Sequence, residues 1–170
     1  MSWPIRPLTA PLWRMLPVTY QRSPLSGEGA RLHGGRWNAK GVPALYLATD
    51  HATAVAEFYQ GLPKPGTLAP YRLVCDAIAD LTDGQGGPAD ETVEHGLVAN
   101  WKAMAARGDR LPPSWKIAAE LIGAGAQGAL VPSVQNRGGS CLVLWEWHDA
   151  RTGGGEGAAL TLIDPREDLG

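Results

Sequence analysis

The hydrophobic pattern of this chain changes period several times, and each period predicts a short element of secondary structure. Residues 12–16 and 67–76 carry the apolar and alternating patterns of strands. Residues 44–48 and 128–133 are short apolar runs typical of buried strands, and the second run ends at its proline. Residues 141–147 predict one further strand. The sequence therefore indicates several short strands spread over most of the chain.

Helical spacing is clearest directly after the first buried strand. Either Thr49 or Asp50 fits the N-cap of this helix, and Gly61 fits its end. Four apolar or small residues follow the helical period and define its buried stripe: Ala52, Val55, Ala56 and Tyr59. Two more helices are predicted at residues 90–106 and 115–122.

The remaining segments predict loops. Residues 19–43 are rich in glycine and polar side chains and predict one long loop, a type of segment that is often functional. Residues 83–89 predict a break, and the tail from residue 151 predicts a loose segment with an edge strand at 161–163. Because strands and helices do not alternate regularly, the pattern predicts an α+β fold with a mixed central sheet and flanking helices.

Length and composition favour an ordinary globular protein. The 170 residues are expected to form a single domain, with a motif-bearing core at about 12–147 and a C-terminal extension at 148–170. The net charge of −2 argues against direct nucleic-acid binding. Two cysteines and scattered histidines predict neither a disulfide framework nor a metal site. Without an apolar span or signal-peptide pattern, a cytoplasmic protein with no membrane contact, metal or cofactor is expected.

The most informative residues lie between 27 and 57. Arg36 is framed by Gly34-Gly35 and Trp37-Asn38, Tyr46 lies in the first buried strand, and Glu57 lies on the helix after it. Arginine grips anionic groups in a forked geometry, and tyrosine offers a stacking face and a hydroxyl. A carboxylate can stabilise an oxocarbenium-like state at a sugar ring. Together these groups could hold an anionic, aromatic substrate and stabilise developing positive charge.

Each residue also has an ordinary structural explanation. Arg36 could tie down a surface loop, Tyr46 could be strand core, and Glu57 could be a solvated helix residue. Ser133 follows a valine and a proline at the end of a strand, where a working residue and simple turn chemistry are both common. No Ser-His-Asp set and no dinucleotide-binding glycine fingerprint can be assembled.

These motifs resemble those of the RES domain family, the toxins of bacterial RES–Xre toxin–antitoxin pairs. The matching residues occur in the family's order and span most of the chain: Trp13-Arg14, Gly27-Glu28-Gly29-Ala30, Gly34-Gly35-Arg36-Trp37-Asn38, Gly41, Pro43, Leu45-Tyr46-Leu47-Ala48, Ala54, Glu57 and Val131-Pro132-Ser133. The segment from Gly27 to Glu57 is quite specific, whereas the Pro-Ser piece is weak alone.

The resemblance implies a fold similar to ADP-ribosyltransferase toxins and activity on NAD+ as a substrate. It implies catalytic roles for Arg36, Glu57 and Ser133, with Tyr46 as the accompanying aromatic residue. Arg36 is expected to hold the diphosphate or the nearby ribose, and Arg14 and Arg31 are further candidates for that task. The resemblance also implies a neutralising Xre-like antitoxin that covers the active-site entrance.

One departure from the family bears on the acceptor of ADP-ribose. Many members end the last core strand with an asparagine-rich segment closing in Asn-Pro, whereas residues 140–147 here end in Trp-Glu-Trp. Trp145 and Trp147 would share one side of a strand, either as an exposed partner surface or as core. The sequence therefore favours a protein acceptor and leaves water or phosphate open. A non-catalytic nucleotide-binding module is the alternative of another class; a ribonuclease lacks the basic groove and acid–base pair it needs.

Overall fold

The sheet does not follow chain order. In the computed structural model, which describes residues 2–169, seven strands form one mixed sheet: β1 (Ile5–Pro17), β2 (Leu45–Ala48), β3 (Gly66–Asp80), β4 (Gly128–Pro132), β5 (Ser140–Leu144), β6 (Trp147–Asp149) and β7 (Ala158–Leu162). Their order is β1-β2-β5-β4-β3-β7-β6, and β1 also pairs with β3. The β3–β4 and β6–β7 pairs are parallel and the other pairs are antiparallel.

The long strands β1 and β3 close part of this sheet into a ring. β1 pairs with β3 along most of its length and with β2 at Trp13, opposite Ala48. Alternate side chains of the strands enter two separate cores, as the two-residue period of a strand requires. Leu142 and Leu144 of β5 pack with the apolar residues of β1, β2 and β3, whereas Val143 faces the core that α3 and α5 cover.

Five α-helices lie within residues 2–169: α1 (Glu28–His33), α2 (His51–Tyr59), α3 (Glu91–Val98), α4 (Trp101–Arg107) and α5 (Pro113–Gly123). Asp50 is the N-cap of α2, and its Oδ1 accepts the backbone N–H of Thr53 at 2.7 Å. The helix ends at Tyr59, and its C-cap residue Gln60 has a left-handed φ of 46°. The predicted α+β class, mixed sheet and flanking helices are confirmed.

The structure corrects the predicted loop, one helix and one edge strand. The loop expected at residues 19–43 contains α1, whose end at Gly34 has a φ of 75°. The single helix expected at residues 90–106 is interrupted at Ala99 and Asn100, because the Asn100 side chain accepts the N–H of Ala103 and starts α4. β7 is not an edge strand: it lies between β3 and β6, and Leu160 is fully buried.

The two tryptophans expected on one side of a strand pack against two different cores. β5 ends at Leu144, so Trp145 and Trp147 no longer share a strand. Trp145 is buried against α3 and α5, and its Nε1 donates to the carbonyl of Trp37 at 2.9 Å. Trp147 packs against the other core and donates to the carbonyl of Leu25 at 2.9 Å. The proposed exposed tryptophan surface is therefore wrong.

Candidate functional site

The main cleft, with a volume of about 520 Å³, opens between β1, β2, α2, α4 and the connection from β4 to β5. Arg14, Arg36, Tyr46 and Glu57 all line it. Ser133 is buried at the end of β4 and reaches the cleft through Glu57. The fold thus brings together five of the six residues singled out from the sequence.

A short hydrogen bond joins Glu57 and Ser133 at this site. The Ser133 hydroxyl donates to Oε1 of Glu57 at 2.6 Å, and the backbone N–H of Gln135 approaches the same oxygen at 3.3 Å. The Cys141 thiol lies 3.8 Å from it. No donor from residues 2–169 is bonded to Oε2. One carboxylate oxygen is therefore engaged by the protein, and the other remains available to a ligand.

Arg36, like Glu57, is bonded to the protein through only one of its polar atoms. Its Nη1 donates to the carbonyls of Gly96 and Ala99 at 3.0 Å each, at the end of α3. Carbonyls at a helix C-terminus carry partial negative charge and favour such a cation. Within residues 2–169, Nε and Nη2 make no hydrogen bond. Partial burial lowers the pKa of Arg36, while the charge of Glu57 opposes that shift, so the guanidinium stays protonated.

Three consecutive carbonyls of the arginine loop are held by side chains from distant segments. Ser114 donates to the carbonyl of Arg36, Trp115 Nε1 to that of Gly35 at 2.7 Å, and Trp145 Nε1 to that of Trp37. These donors come from α5 and from the segment after β5. The loop is therefore fixed in place before any ligand binds.

Tyr46 contributes its hydroxyl to the same loop. The hydroxyl donates to Oδ1 of Asn38 at 2.6 Å and accepts the N–H of Trp37 at 3.0 Å. A Cβ at Gly35 would overlap this hydroxyl, which explains the glycine. Burial raises the pKa of Tyr46, so its proton stays in place. The ring lines the cleft while the hydroxyl ties β2 to the arginine loop.

The two further arginines differ in position. Arg14 lines the cleft, and its Nη1 donates to the carbonyl of Pro24 at 3.2 Å. Burial lowers its pKa, which contact with Tyr71 partly offsets, and the same burial raises the pKa of Tyr71 to about 12. Arg31 does not line the cleft and pairs with Glu28 on the exposed face of α1. The geometry supports a ligand contact by Arg14 and none by Arg31.

Sequence reasoning missed several groups at this site. Trp13 lines one part of the cleft, and Trp101 and Lys102 line another. Trp101 is the first residue of α4, directly after the interruption of the helix predicted at residues 90–106. Asn100 at that interruption was the available signal, since asparagine favours N-caps.

Cys141 is a second group that the sequence did not single out. It lines the cleft beside Glu57 and is a free cysteine. Burial, and then the negative charge of Glu57, raise the pKa of its thiol. Because the thiolate is the reactive form, the neutral thiol is a poor nucleophile. In residues 2–169 no three His, Cys, Asp or Glu side chains form a metal cluster, and no helix there is long and apolar enough to cross a membrane.

Comparison with known proteins agrees with the motif pattern. Residues 11–157 match the family model of the RES domain. This chain belongs to the RES domain family. Toxin Res of Yersinia enterocolitica is 28% identical over 127 residues, which cover 74% of this chain and 80% of that protein. The Prs ADP-ribosylating toxin of a Sphingobium species is 42% identical over 52 residues, or 29% of this chain and 32% of that one.

A solved structure shares the fold. The Mycobacterium tuberculosis MbcT–MbcA toxin–antitoxin complex contains a chain that superposes with a TM-score of 0.59 at 23% identity. The match covers 94% of this chain and 84% of that chain. The RES-domain chain described here therefore has relatives that are toxins, and its fold matches one found in a toxin–antitoxin complex.

Proposed function

We propose that this chain is the toxin of a bacterial toxin–antitoxin pair, cleaving the nicotinamide–ribose bond of NAD+ and transferring ADP-ribose to an acceptor. The observation that carries the proposal is that Arg36 and Glu57 line the same cleft, where Nε and Nη2 of Arg36 and Oε2 of Glu57 have no hydrogen-bond partner within residues 2–169. NAD+ carries an anionic diphosphate and a ribose that gains positive charge during cleavage. Binding and cleaving it therefore requires both a cation, here Arg36, and a carboxylate, here Glu57. The toxin names of the relatives support the same assignment.

The arginines serve the diphosphate in this proposal. Arg36 offers Nε and Nη2, and Arg14 supplies a second cation that lines the same cleft. Charge-assisted hydrogen bonds from guanidinium to phosphate are about twice as strong as neutral ones. Because α3 and the loop contacts fix Arg36 in advance, little ordering remains for the substrate to induce.

Glu57 serves the reacting ribose. As nicotinamide leaves, C1 of the ribose gains positive charge, and a fixed carboxylate stabilises that charge. Ser133 occupies Oε1, which leaves Oε2 to face the ribose. Nicotinamide is a cation in NAD+ and departs as a neutral molecule, so the step needs no metal. The Tyr46 ring is proposed to pack against the nicotinamide.

The direct test is nicotinamide release from NAD+ by the purified chain, with Glu57→Gln as the control. We expect release by the wild type and a loss of about 10²–10³ in the variant. A non-catalytic nucleotide-binding module would bind NAD+ and release nothing. Absence of release under all conditions would overturn the enzymatic assignment.

The acceptor is proposed to be a cellular protein, as the name of the Sphingobium relative supports. Trp145 is buried and Trp147 is half-buried against the other core, so the argument from an exposed tryptophan surface no longer supports this acceptor. Nicotinamide release should therefore be measured in buffer, with inorganic phosphate and with cell lysate. Fastest release with lysate, and label transferred to protein, supports a transferase. Equal release in buffer would indicate a glycohydrolase, and stimulation by phosphate alone a phosphorylase.

The partner is proposed to be an Xre-like antitoxin that covers the cleft. The structural neighbour comes from a toxin–antitoxin complex, which supports a protein partner of that kind. NAD+ titrated against the preformed complex should bind far more weakly than to the free chain. Unchanged NAD+ affinity would show that the antitoxin acts elsewhere.

A further inference from the structure

A second hydrogen-bonded pair lies one helical turn from the Glu57–Ser133 contact. Thr53 and Glu57 are four residues apart and therefore share a face of α2. The loop after β4 lies against that face. Ser133 bonds to Glu57 at 2.6 Å, and the Asn136 side-chain amide donates to the Thr53 hydroxyl at 2.8 Å. Helix and loop are thus joined by two parallel contacts.

The direction of the protons in this network is determined at Asp50. Oδ1 of Asp50 accepts the N–H of Thr53, and Oδ2 accepts the Thr53 hydroxyl proton at 2.9 Å. The Thr53 oxygen must therefore accept the amide of Asn136. The backbone N–H of Asn136 in turn donates to the Ser133 oxygen at 3.0 Å. Because the Ser133 oxygen accepts this N–H, its own hydroxyl proton points toward Oε1 of Glu57.

The loop after β4 packs closely against Thr53 of α2. Thr53 is fully buried. A Cβ at Gly139 would overlap the Thr53 hydroxyl, so the loop approaches α2 as closely as glycine allows. Gly138 has a φ of 88°, which turns the chain back toward β5. These features keep Asn136 over Thr53.

We propose that Thr53 and Asn136 are positioning residues that orient the Ser133 hydroxyl toward Oε1 of Glu57. This inference rests on the proposed function of the cleft, since its consequence is that Oε2 is turned to the ribose. Loss of the Thr53 hydroxyl would release Asn136, and Ser133 could then rotate away from Glu57. The substrate contacts made by Arg14 and Arg36 would be unaffected, so kcat should fall while KM stays constant.

The test uses Thr53→Val, which removes the hydroxyl and keeps the shape, and Thr53→Ser, which restores the hydroxyl. Thr49→Val is the matched control, because Thr49 donates to the Ser140 carbonyl at 3.1 Å but has no link to Ser133. We expect Thr53→Val to lower kcat about tenfold, the effect of one supporting hydrogen bond, with KM within twofold. Thr53→Ser should recover most of the rate, and Thr49→Val should retain it. An unchanged kcat in Thr53→Val, or an equal loss in Thr49→Val, would overturn the proposal.

A second readout does not depend on NAD+ cleavage. The NMR resonance of the Glu57 carboxyl carbon reports whether Ser133 donates to Oε1. It should move in Thr53→Val and stay in place in Thr49→Val. If the wild type releases no nicotinamide, the proposed function fails and this resonance alone decides the positioning role. A resonance that is the same in both variants and the wild type would overturn it.

Discussion

Arg36 and Glu57 face the same cleft, yet different kinds of structure hold them. Arg36 lies in a tight turn between the bridged residues Gly35 and Asn38, and the carbonyls of this turn are held by Ser114, Trp115 and Trp145, all far away in sequence. Glu57 lies on a regular helix with its own N-cap, and its partner Ser133 ends a buried strand. The position of Arg36, on the arginine side of the cleft, therefore depends on tertiary contacts. On the glutamate side, formed by Glu57 and Ser133, local structure already determines most of the geometry.

This difference predicts how each side responds to substitution. A change at Arg36 disturbs the end of α3 as well as any ligand contact, because its guanidinium bonds to Gly96 and Ala99. A change at Glu57 alters only side-chain contacts, which the helix backbone does not need. Substitutions at Arg36 should therefore lower activity and stability together, whereas substitutions at Glu57 should lower activity and leave stability nearly unchanged.

The largest effect is expected from Arg36→Ala compared with Glu57→Gln. Both should lower the rate of NAD+ cleavage by about 10²–10³ and abolish growth inhibition. Only Arg36→Ala should also cost about 1–3 kcal/mol in the free energy of unfolding, because it leaves partly buried carbonyls unpaired. Urea unfolding of both variants measures this. Equal stability of the two proteins would break the comparison.

Tyr46 gives the next largest effect. If the ring face alone acted, Tyr46→Phe would be mild compared with Tyr46→Ala. The structure shows that the hydroxyl pairs with Trp37 and Asn38, so Tyr46→Phe should itself lower activity by about tenfold and destabilise the chain by roughly 1–3 kcal/mol. Tyr59→Phe is the control, since Tyr59 does not line the cleft. A fully active Tyr46→Phe protein would show that activity requires only the ring of Tyr46 and not its hydroxyl.

Ser114→Ala sharpens the comparison at a residue outside the cleft. Its hydroxyl is fully buried and donates to the carbonyl of Arg36. Removing it should cost about 1–2 kcal/mol of stability and lower NAD+ cleavage several-fold, because the arginine loop loosens. Ser23→Ala, an exposed site, should change neither quantity. Ser114→Ala activity equal to that of the wild type would mean that the loop does not need this contact.

The smallest effect concerns Cys141. Burial and the charge of Glu57 raise its pKa, so at pH 8 its thiolate is scarce and alkylation by iodoacetamide should be slow. Glu57→Gln removes the negative charge that helps to raise the pKa of Cys141, so alkylation should become a few-fold faster. Burial should still keep it slow. The urea-unfolded protein gives the reference rate. Alkylation of the folded wild type at that reference rate would refute the assigned environment.

The sequence predicted the glutamate side better than the arginine side for a physical reason. Asp50 as N-cap, the spacing of α2 and the strand before Ser133 are local patterns, and all are found in the structure. The donors to the arginine loop are separated from it by 78 to 108 residues, so no local pattern indicates them. The sequence singled out Arg36 and Ser133 separately, and only the resemblance to the RES family assigned them to one catalytic site.

Sheet topology shows the same limit. The short strands β2 and β4 were predicted from their apolar runs, but the lengths of β1 and β3 were underestimated. Their extra residues pair with each other, and pairing between distant strands leaves little trace in either sequence alone. The buried position of β7 was missed for that reason too.

The most direct test of the account is a crystal structure of the Glu57→Gln variant with intact NAD+. The account predicts the diphosphate at Nε and Nη2 of Arg36, with Arg14 nearby. It predicts the nicotinamide ribose beside the side chain at position 57, with Ser133 still bonded to that side chain. NAD+ bound elsewhere, or with its diphosphate at position 57, would contradict the proposal that one cleft holds both ends of the reaction.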